Sequence, residues 1–150
     1  MLFYGMSYND IVDLYTKYAG DWGGTATVYR FDAIVDGKVV KSVTKAPMSS
    51  GGLRVNAYKT TLTEAESYDV TALRISAIDE YGNTLYFSGE PISITTEGPV
   101  ELIGPDTVSL KGGMTGVYLK TVGKAGDASV TIYSESLGEL TIPLTVKTDF

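Results

Sequence analysis

Residues Tyr68 to Gly98 read YDVTALRISAIDEYGNTLYFSGEPISITTEG. Leu73, Ile75 and Ala77 alternate with Arg74 and Ser76, the period of two expected of a strand with one face buried and the other in water. The run breaks at Asp79-Glu80-Tyr81-Gly82-Asn83, where Gly82 and Asn83 can take the positive φ that a reversal needs. Beyond it Ile92 and Ile94 alternate with Ser93 and Thr95 until Gly98-Pro99 stops the run. Two strands around a reversal, in the middle of the chain, set the pattern to look for on either side.

Downstream the pattern repeats at short intervals. Val100 to Ile103 is a strand stopped by Gly104-Pro105, and Thr107 to Leu110 one stopped by Gly112-Gly113. Val117 and Leu119 alternate with Tyr118 and Lys120; Val130 and Ile132 alternate with Thr131 and Tyr133. Leu140, Ile142, Leu144 and Val146 form the most regular face. Pro143 lies inside that last run, has no N–H to give a neighbour, and predicts an edge strand. Upstream, Leu53 to Tyr58 and Thr61 to Thr63 read as two more strands. Short alternating strands punctuated by Gly and Pro are the sequence form of an antiparallel β-sandwich, so the fold class is all-β.

The N-terminal third differs. Ser7 is a good N-cap, Asp10 sits near the positive end of the helix dipole, and Ile11, Leu14, Tyr15 and Tyr18 share one face, which predicts a helix from Ser7 to Tyr18 ending at Gly20. A helix of about three turns is marginal alone, so that face is expected to dock on the sandwich or on a neighbouring domain. Asp21-Trp22-Gly23-Gly24 is a loop with the sole tryptophan, readable as a lid on a core or as a platform for a sugar ring. Tyr29, Phe31 and Ala33 alternate with Arg30 and Asp32, and Asp36-Gly37 turns the chain into Lys38 to Val43, an N-terminal β-hairpin. Ala46 to Gly52, APMSSGG, has the composition of a linker. The expected division is residues 1–47, helix plus hairpin, packed on the sandwich or left from a preceding domain, and residues 48–150, the sandwich.

Bulk composition narrows the function classes. At 150 residues the chain is too short for a (β/α)8 barrel, which takes roughly 250. A net charge of −6 with dispersed Lys and Arg argues against nucleic acid. Without Cys or His there is no disulfide, no thiolate metal site and no Ser-His or Cys-His nucleophile. No apolar run reaches the roughly 20 residues of a membrane span, and the N-terminus lacks the basic region and cleavage pattern of a signal peptide. Such a start suits a cytoplasmic protein, favoured over a secreted one, and equally a segment cut from a longer chain.

Few constellations can carry chemistry. Carboxylates are the catalytic groups in quantity, and a pair about 5 to 9.5 Å apart would suit glycoside hydrolysis. Most Asp and Glu fall in turns or alternate with apolar residues, so surface charge accounts for them and no catalytic residue is expected. Asp79 to Asn83 offers oxygens around a glycine but lacks the order of a calcium loop, and is read as a structural reversal. Lys111-Gly112-Gly113-Met114-Thr115-Gly116 has no Gly-Lys-Ser/Thr ending, and is read as a strand connection rather than a phosphate cradle. Tyr81, Tyr86 and Phe87 are either packing residues at a sandwich end or a recognition patch. No cofactor and no metal is expected.

Several of these runs together carry a resemblance. Asp69 to Asn83, Glu90-Pro91-Ile92-Ser93-Ile94, Gly98-Pro99-Val100-Glu101-Leu102-Ile103-Gly104, Gly113-Met114-Thr115-Gly116-Val117-Tyr118 and Gly123-Lys124-Ala125-Gly126 resemble the C-terminal immunoglobulin-like domain of bacterial β-galactosidases of glycoside hydrolase family 2. The likeness covers roughly Leu53 to Leu137, and Tyr29-Arg30-Phe31 with Val35 to Lys41 resembles the segment leading into that domain. The Asp-Glu-x-Gly-Asn pattern also occurs in repeats of bacterial surface adhesins. In the glycosidase family the catalytic glutamates lie in an upstream barrel, and no position here matches their motifs. The resemblance therefore implies an immunoglobulin-like antiparallel sandwich that is an accessory part of a hydrolase, with the catalytic barrel and other domains of the parent as partners. A carbohydrate-binding module, using Trp22 or the Tyr81, Tyr86 and Phe87 group, and an adhesin repeat are the alternatives.

Overall fold

The computed structural model describes residues 5–19 and 26–149. Backbone contacts divide the chain into two units, Met1–Pro47 and Met48–Phe150.

The larger unit is all strand. It holds β3 (Gly51–Ala57), β4 (Thr61–Glu64), β5 (Val70–Asp79), β6 (Pro91–Glu97), β7 (Val100–Ile103), β8 (Thr107–Ser109), β9 (Met114–Thr121), β10 (Gly126–Ser134) and β11 (Gly138–Thr148). One sheet has the order β3-β5-β9-β7 and the other β4-β11-β10-β6-β8. All pairings are antiparallel except β4 with β11, which run parallel. The two strands of the Tyr68–Gly98 stretch, β5 and β6, fall in different sheets, and the chain crosses between layers again after Gly98.

Alternation explains the layers. Thr71, Leu73, Ile75 and Ala77 point inward from β5, and Val117 and Leu119 from β9; Ile92 and Ile94, Val130 and Ile132, and Leu144 and Val146 meet them from β6, β10 and β11. Leu62 of β4 is fully buried among them. Each Leu, Ile or Val among them is worth about 1.5–3 kcal/mol when removed from water, so the core rests on the period of two in these strands. Thr71 continues the inward row although polar; its Oγ1 donates to the Lys59 carbonyl at 2.7 Å and accepts from the Lys59 N–H at 3.2 Å.

The expectation that Pro143 marks an edge strand needs correcting. β11 lies between β10 and β4. Its contact with β4 is confined to Thr145–Thr148, while Pro143 faces Ser129 of β10 only. The missing N–H thus falls on the part of an interior strand that has a single neighbour.

The smaller unit contains α1 (Tyr8–Tyr18), β1 (Tyr29–Val35) and β2 (Lys38–Lys45). Ser7 caps α1 reciprocally: its Oγ accepts from the Asp10 N–H at 3.3 Å, and the Asp10 carboxylate accepts from the Ser7 N–H at 2.6 Å. β1 and β2 pair through a turn at Asp36 (φ 49°) and Gly37 (φ 74°), the two positive values that a two-residue hairpin requires. The Tyr29 hydroxyl donates to the Tyr18 carbonyl at 3.0 Å, linking hairpin to helix. Both faces of β1 are exposed despite its alternation, and no described residue of this unit is buried. Gly20 and the Trp22 loop lie outside the described residues. Among the described residues, no helix is long and apolar enough to cross a membrane.

Candidate functional site

The Asp79–Asn83 reversal uses its own oxygens. Asp79 Oδ1 accepts from the N–H groups of Tyr81 at 3.0 Å and Asn83 at 2.7 Å, and Oδ2 from Asn83 Nδ2 at 2.7 Å. Partial desolvation opposes the charge of Asp79, but the Asn83 and Tyr81 donors outweigh it and hold its pKa below the ordinary value. Glu80 reaches the other way. Its Oε1 accepts from Ser49 Oγ at 2.7 Å and Ser49 N–H at 3.0 Å, with Ser50 N–H 3.4 Å from Oε2; these bonds, the Ser49 hydroxyl first, lower its pKa to about 2. The turn is therefore a clasp on the entry to β3. Among the described residues, no three carboxylates are grouped to hold a metal ion.

Other carboxylates also serve the backbone. Asp69 accepts from Lys59 Nζ at 2.5 Å and from the N–H groups of Thr63 and Val70 at 2.8 Å. Desolvation raises its pKa, and the Lys59 ammonium with the two backbone donors lowers it further than that, for a net depression. Glu90 accepts from Ser134 Oγ at 3.0 Å and from Ser136 Oγ.

The glycine-rich connection is a tight turn between β8 and β9. Gly112 and Gly113 take φ of 59° and 73°, and Lys111 and Met114 bond across them. The Gly113 N–H is already given to the Ser88 carbonyl at 2.9 Å, so this amide is committed to holding the 84–90 loop. In that loop Leu85 is the packing residue, buried and bonded through its N–H to Ala77. Tyr81, Tyr86 and Phe87 are exposed, which places them on the surface rather than in the end of the core.

Sequence reading missed a trough on the outer face of the four-stranded sheet. Asn56, Tyr58, Ala72, Arg74, Met114, Gly116 and Tyr118, with their strand neighbours, line a cavity of about 740 Å³ there. Register creates it. Ala72 lies opposite Tyr118 and bonds through its carbonyl to the Tyr58 N–H, while Arg74 lies opposite both Asn56 and Gly116. Small side chains on the central strand and on β9 leave a hollow between two tyrosines that are 83% and 55% exposed. The alternation of β5 and β9 was legible, but which outward residues become neighbours depends on strand pairing, which periodicity does not reveal.

The curated relatives that match by sequence are β-galactosidases, whereas the solved structures that share the fold also include the D00-D0 domain of intimin, with a TM-score of 0.54 at 17% identity, over 83% of this chain and 66% of that one. No protein-family model matches the chain. It is 29% identical over 128 residues to a β-galactosidase of Rhizobium radiobacter, covering 85% of this chain and 92% of the relative. It is 28% identical over 106 residues to the β-galactosidase of Thermoanaerobacter pseudethanolicus, covering 71% of this chain but only 14% of that longer protein. Among solved structures, a glycosyl hydrolase family 2 member from Bacteroides cellulosilyticus superposes with a TM-score of 0.64 at 16% identity, over 80% of this chain and 17% of that one. The resemblance drawn from Asp69–Asn83 and the runs after it thus stands, and so does the fold class. By sequence the chain is a relative of bacterial β-galactosidases, and its fold is the all-β immunoglobulin-like sandwich found within glycosyl hydrolase family 2 members.

Proposed function

We propose that the chain is a non-catalytic accessory domain of a β-galactosidase-type glycoside hydrolase, giving structural support to the catalytic barrel. The observation that carries this reading is the match to the Thermoanaerobacter enzyme, where an aligned segment of 106 residues is 14% of the whole. The site chemistry supports it, because Asp69, Asp79, Glu80 and Glu90 hold turns and strand ends together. The smaller unit is the best candidate for the surface facing the other domains: Tyr8, Tyr15, Phe31, Ile34 and Val40 are all exposed, an apolar display that ordinarily meets a partner.

Two measurements test the role. The isolated chain, assayed with a chromogenic galactoside, should show no turnover above buffer, and measurable hydrolysis would sink the reading. Deleting the corresponding segment from the full-length Thermoanaerobacter enzyme should lower its melting temperature or break its assembly; an unchanged enzyme would refute a supporting role.

A further inference from the structure

We propose that the trough on the outer face of β3, β5 and β9 binds an acidic saccharide, with a pyranose ring between Tyr58 and Tyr118 and its carboxylate on Arg74. Saccharide binding here would hold whether or not the chain braces a catalytic barrel.

The dimensions favour a sugar ring. β3 and β9 flank β5, so their outward side chains stand two strand spacings apart, about 10 Å. Ala72 fills the middle of that row with a single methyl group, which leaves a slot about one ring wide with an aromatic residue on each side. Aromatic faces accept the C–H face of a pyranose, and their hydroxyls remain free to bond its rim. A cavity of about 740 Å³ also falls in the ordinary range of small-ligand sites.

Gly116 strengthens the case because its backbone does not demand glycine. Its φ is not in the left-handed region, and a Cβ there would meet only the Leu73 carbonyl oxygen, at the ordinary contact distance of 3.5 Å. What the missing side chain does is keep the floor beside Arg74 bare.

Charge selects the acid. Arg74 offers a planar, delocalised cation, and it has no salt-bridge or hydrogen-bond partner among the described residues. On the same sheet Lys120 is paired with Glu101 at 2.5 Å, whereas the trough lining contains neither Asp nor Glu. In a chain of net charge −6, Arg74 is a local positive centre in an aromatic slot, and a planar fork of donors suits a carboxylate in bidentate geometry. Arg74 and Ala72 are two residues apart on β5, about 6.7 Å, which makes the guanidinium the neighbour, on the same face of the sheet, of a ring seated over Ala72.

The test is titration of the 150-residue chain with trigalacturonic acid and with neutral galactotriose, by amide chemical-shift mapping and calorimetry. Shifts confined to 56–58, 72–74 and 114–118, with the acid bound about tenfold tighter than the neutral sugar, are expected. Tyr118→Ala should weaken both sugars about tenfold. Arg74→Gln should abolish the preference for the acid and spare the neutral sugar. Gly116→Val should block both with an unchanged melting transition, which separates occlusion from unfolding. The proposal is overturned if neither sugar shifts these amides at millimolar concentration, if the shifts lie elsewhere, if wild type does not distinguish acid from neutral, or if folded Gly116→Val binds as wild type does. A trough that responds only to the remaining domains of a full-length enzyme is a protein contact, and the saccharide assignment then falls.

Discussion

Gly98 turns β6 toward β7 with φ of 79°, and a Cβ built on it would lie 2.4 Å from the Asp127 carbonyl oxygen and 2.8 Å from Ala128 Cα. Gly82 has the same φ with open space around it. Gly98→Ala therefore meets a backbone clash as well as strain and should cost about 2 kcal/mol or more, whereas Gly82→Ala should cost only about 1 kcal/mol. Urea unfolding midpoints at constant slope compare the two. A second contrast concerns buried hydroxyls. Thr71 Oγ1 satisfies both the N–H and the C=O of Lys59, and Thr71→Val should cost about 1–3 kcal/mol. Ser88 Oγ is buried with no partner among the described residues, and Ser88→Ala should change stability by no more than about 0.5 kcal/mol. The same denaturation experiment reads both. The sequence marks both glycines as turn formers, but only packing against β10 separates them.

At the scale of elements, the Glu80 clasp makes a pH prediction. Its folded pKa lies near 2, below the ordinary 4.5, so the bonds to Ser49 and Ser50 are complete above pH 4.5 and are lost as pH falls through the folded value. The protection of the Ser49 and Ser50 amides, taken relative to the intrinsic exchange rate at each pH, should hold at pH 4 and fall only near pH 2, and Glu80→Gln should lower it throughout the range above pH 2. Release midway between pH 4 and 5 would show that the clasp does not form. Reading the turn as a reversal was possible from Gly82 and Asn83. That Glu80 would hold a segment some thirty residues upstream was not, because a side chain's distant partner leaves no local pattern. The parallel pairing of β4 with β11 was hidden for the same reason, and so was the trough, whose two tyrosines come from the residue after β3 and from β9.

For the whole molecule, Asp69, Asp79 and Glu80 are all depressed in the folded sandwich, so each contributes stability that is present above its unfolded pKa and lost in acid. The melting temperature should hold steady from neutral pH to about pH 5 and fall progressively from there toward pH 2; a melting temperature unchanged at pH 3 would contradict the assigned bonds. Buried side chains lie only in residues 48–150 among those described. A chain beginning at Met48 should therefore unfold cooperatively with nearly the full-length midpoint, and a large loss would reveal a stabilising part played by residues 1–47. Hydrophobic alternation announced the sandwich because Leu73, Ile75, Ile92, Ile94, Val130 and Ile132 all face one core. In β1 the same alternation marked a hairpin strand that buries nothing, since two strands alone cannot enclose a face.

The parallel pair carries a mechanical consequence. β4 and the end of β11 run side by side, with Thr145 N–H on the Thr60 carbonyl and Asp149 N–H on the Glu64 carbonyl closing the two ends of the contact. Tension applied between residue 60 and residue 149 would pull these strands lengthwise past one another, so their hydrogen bonds bear load together instead of opening one at a time. A domain tethered in a larger assembly through those two points would yield in shear, with a high and abrupt rupture force in a single-molecule pulling experiment, and Lys147→Pro, which breaks the middle of the contact, should lower it.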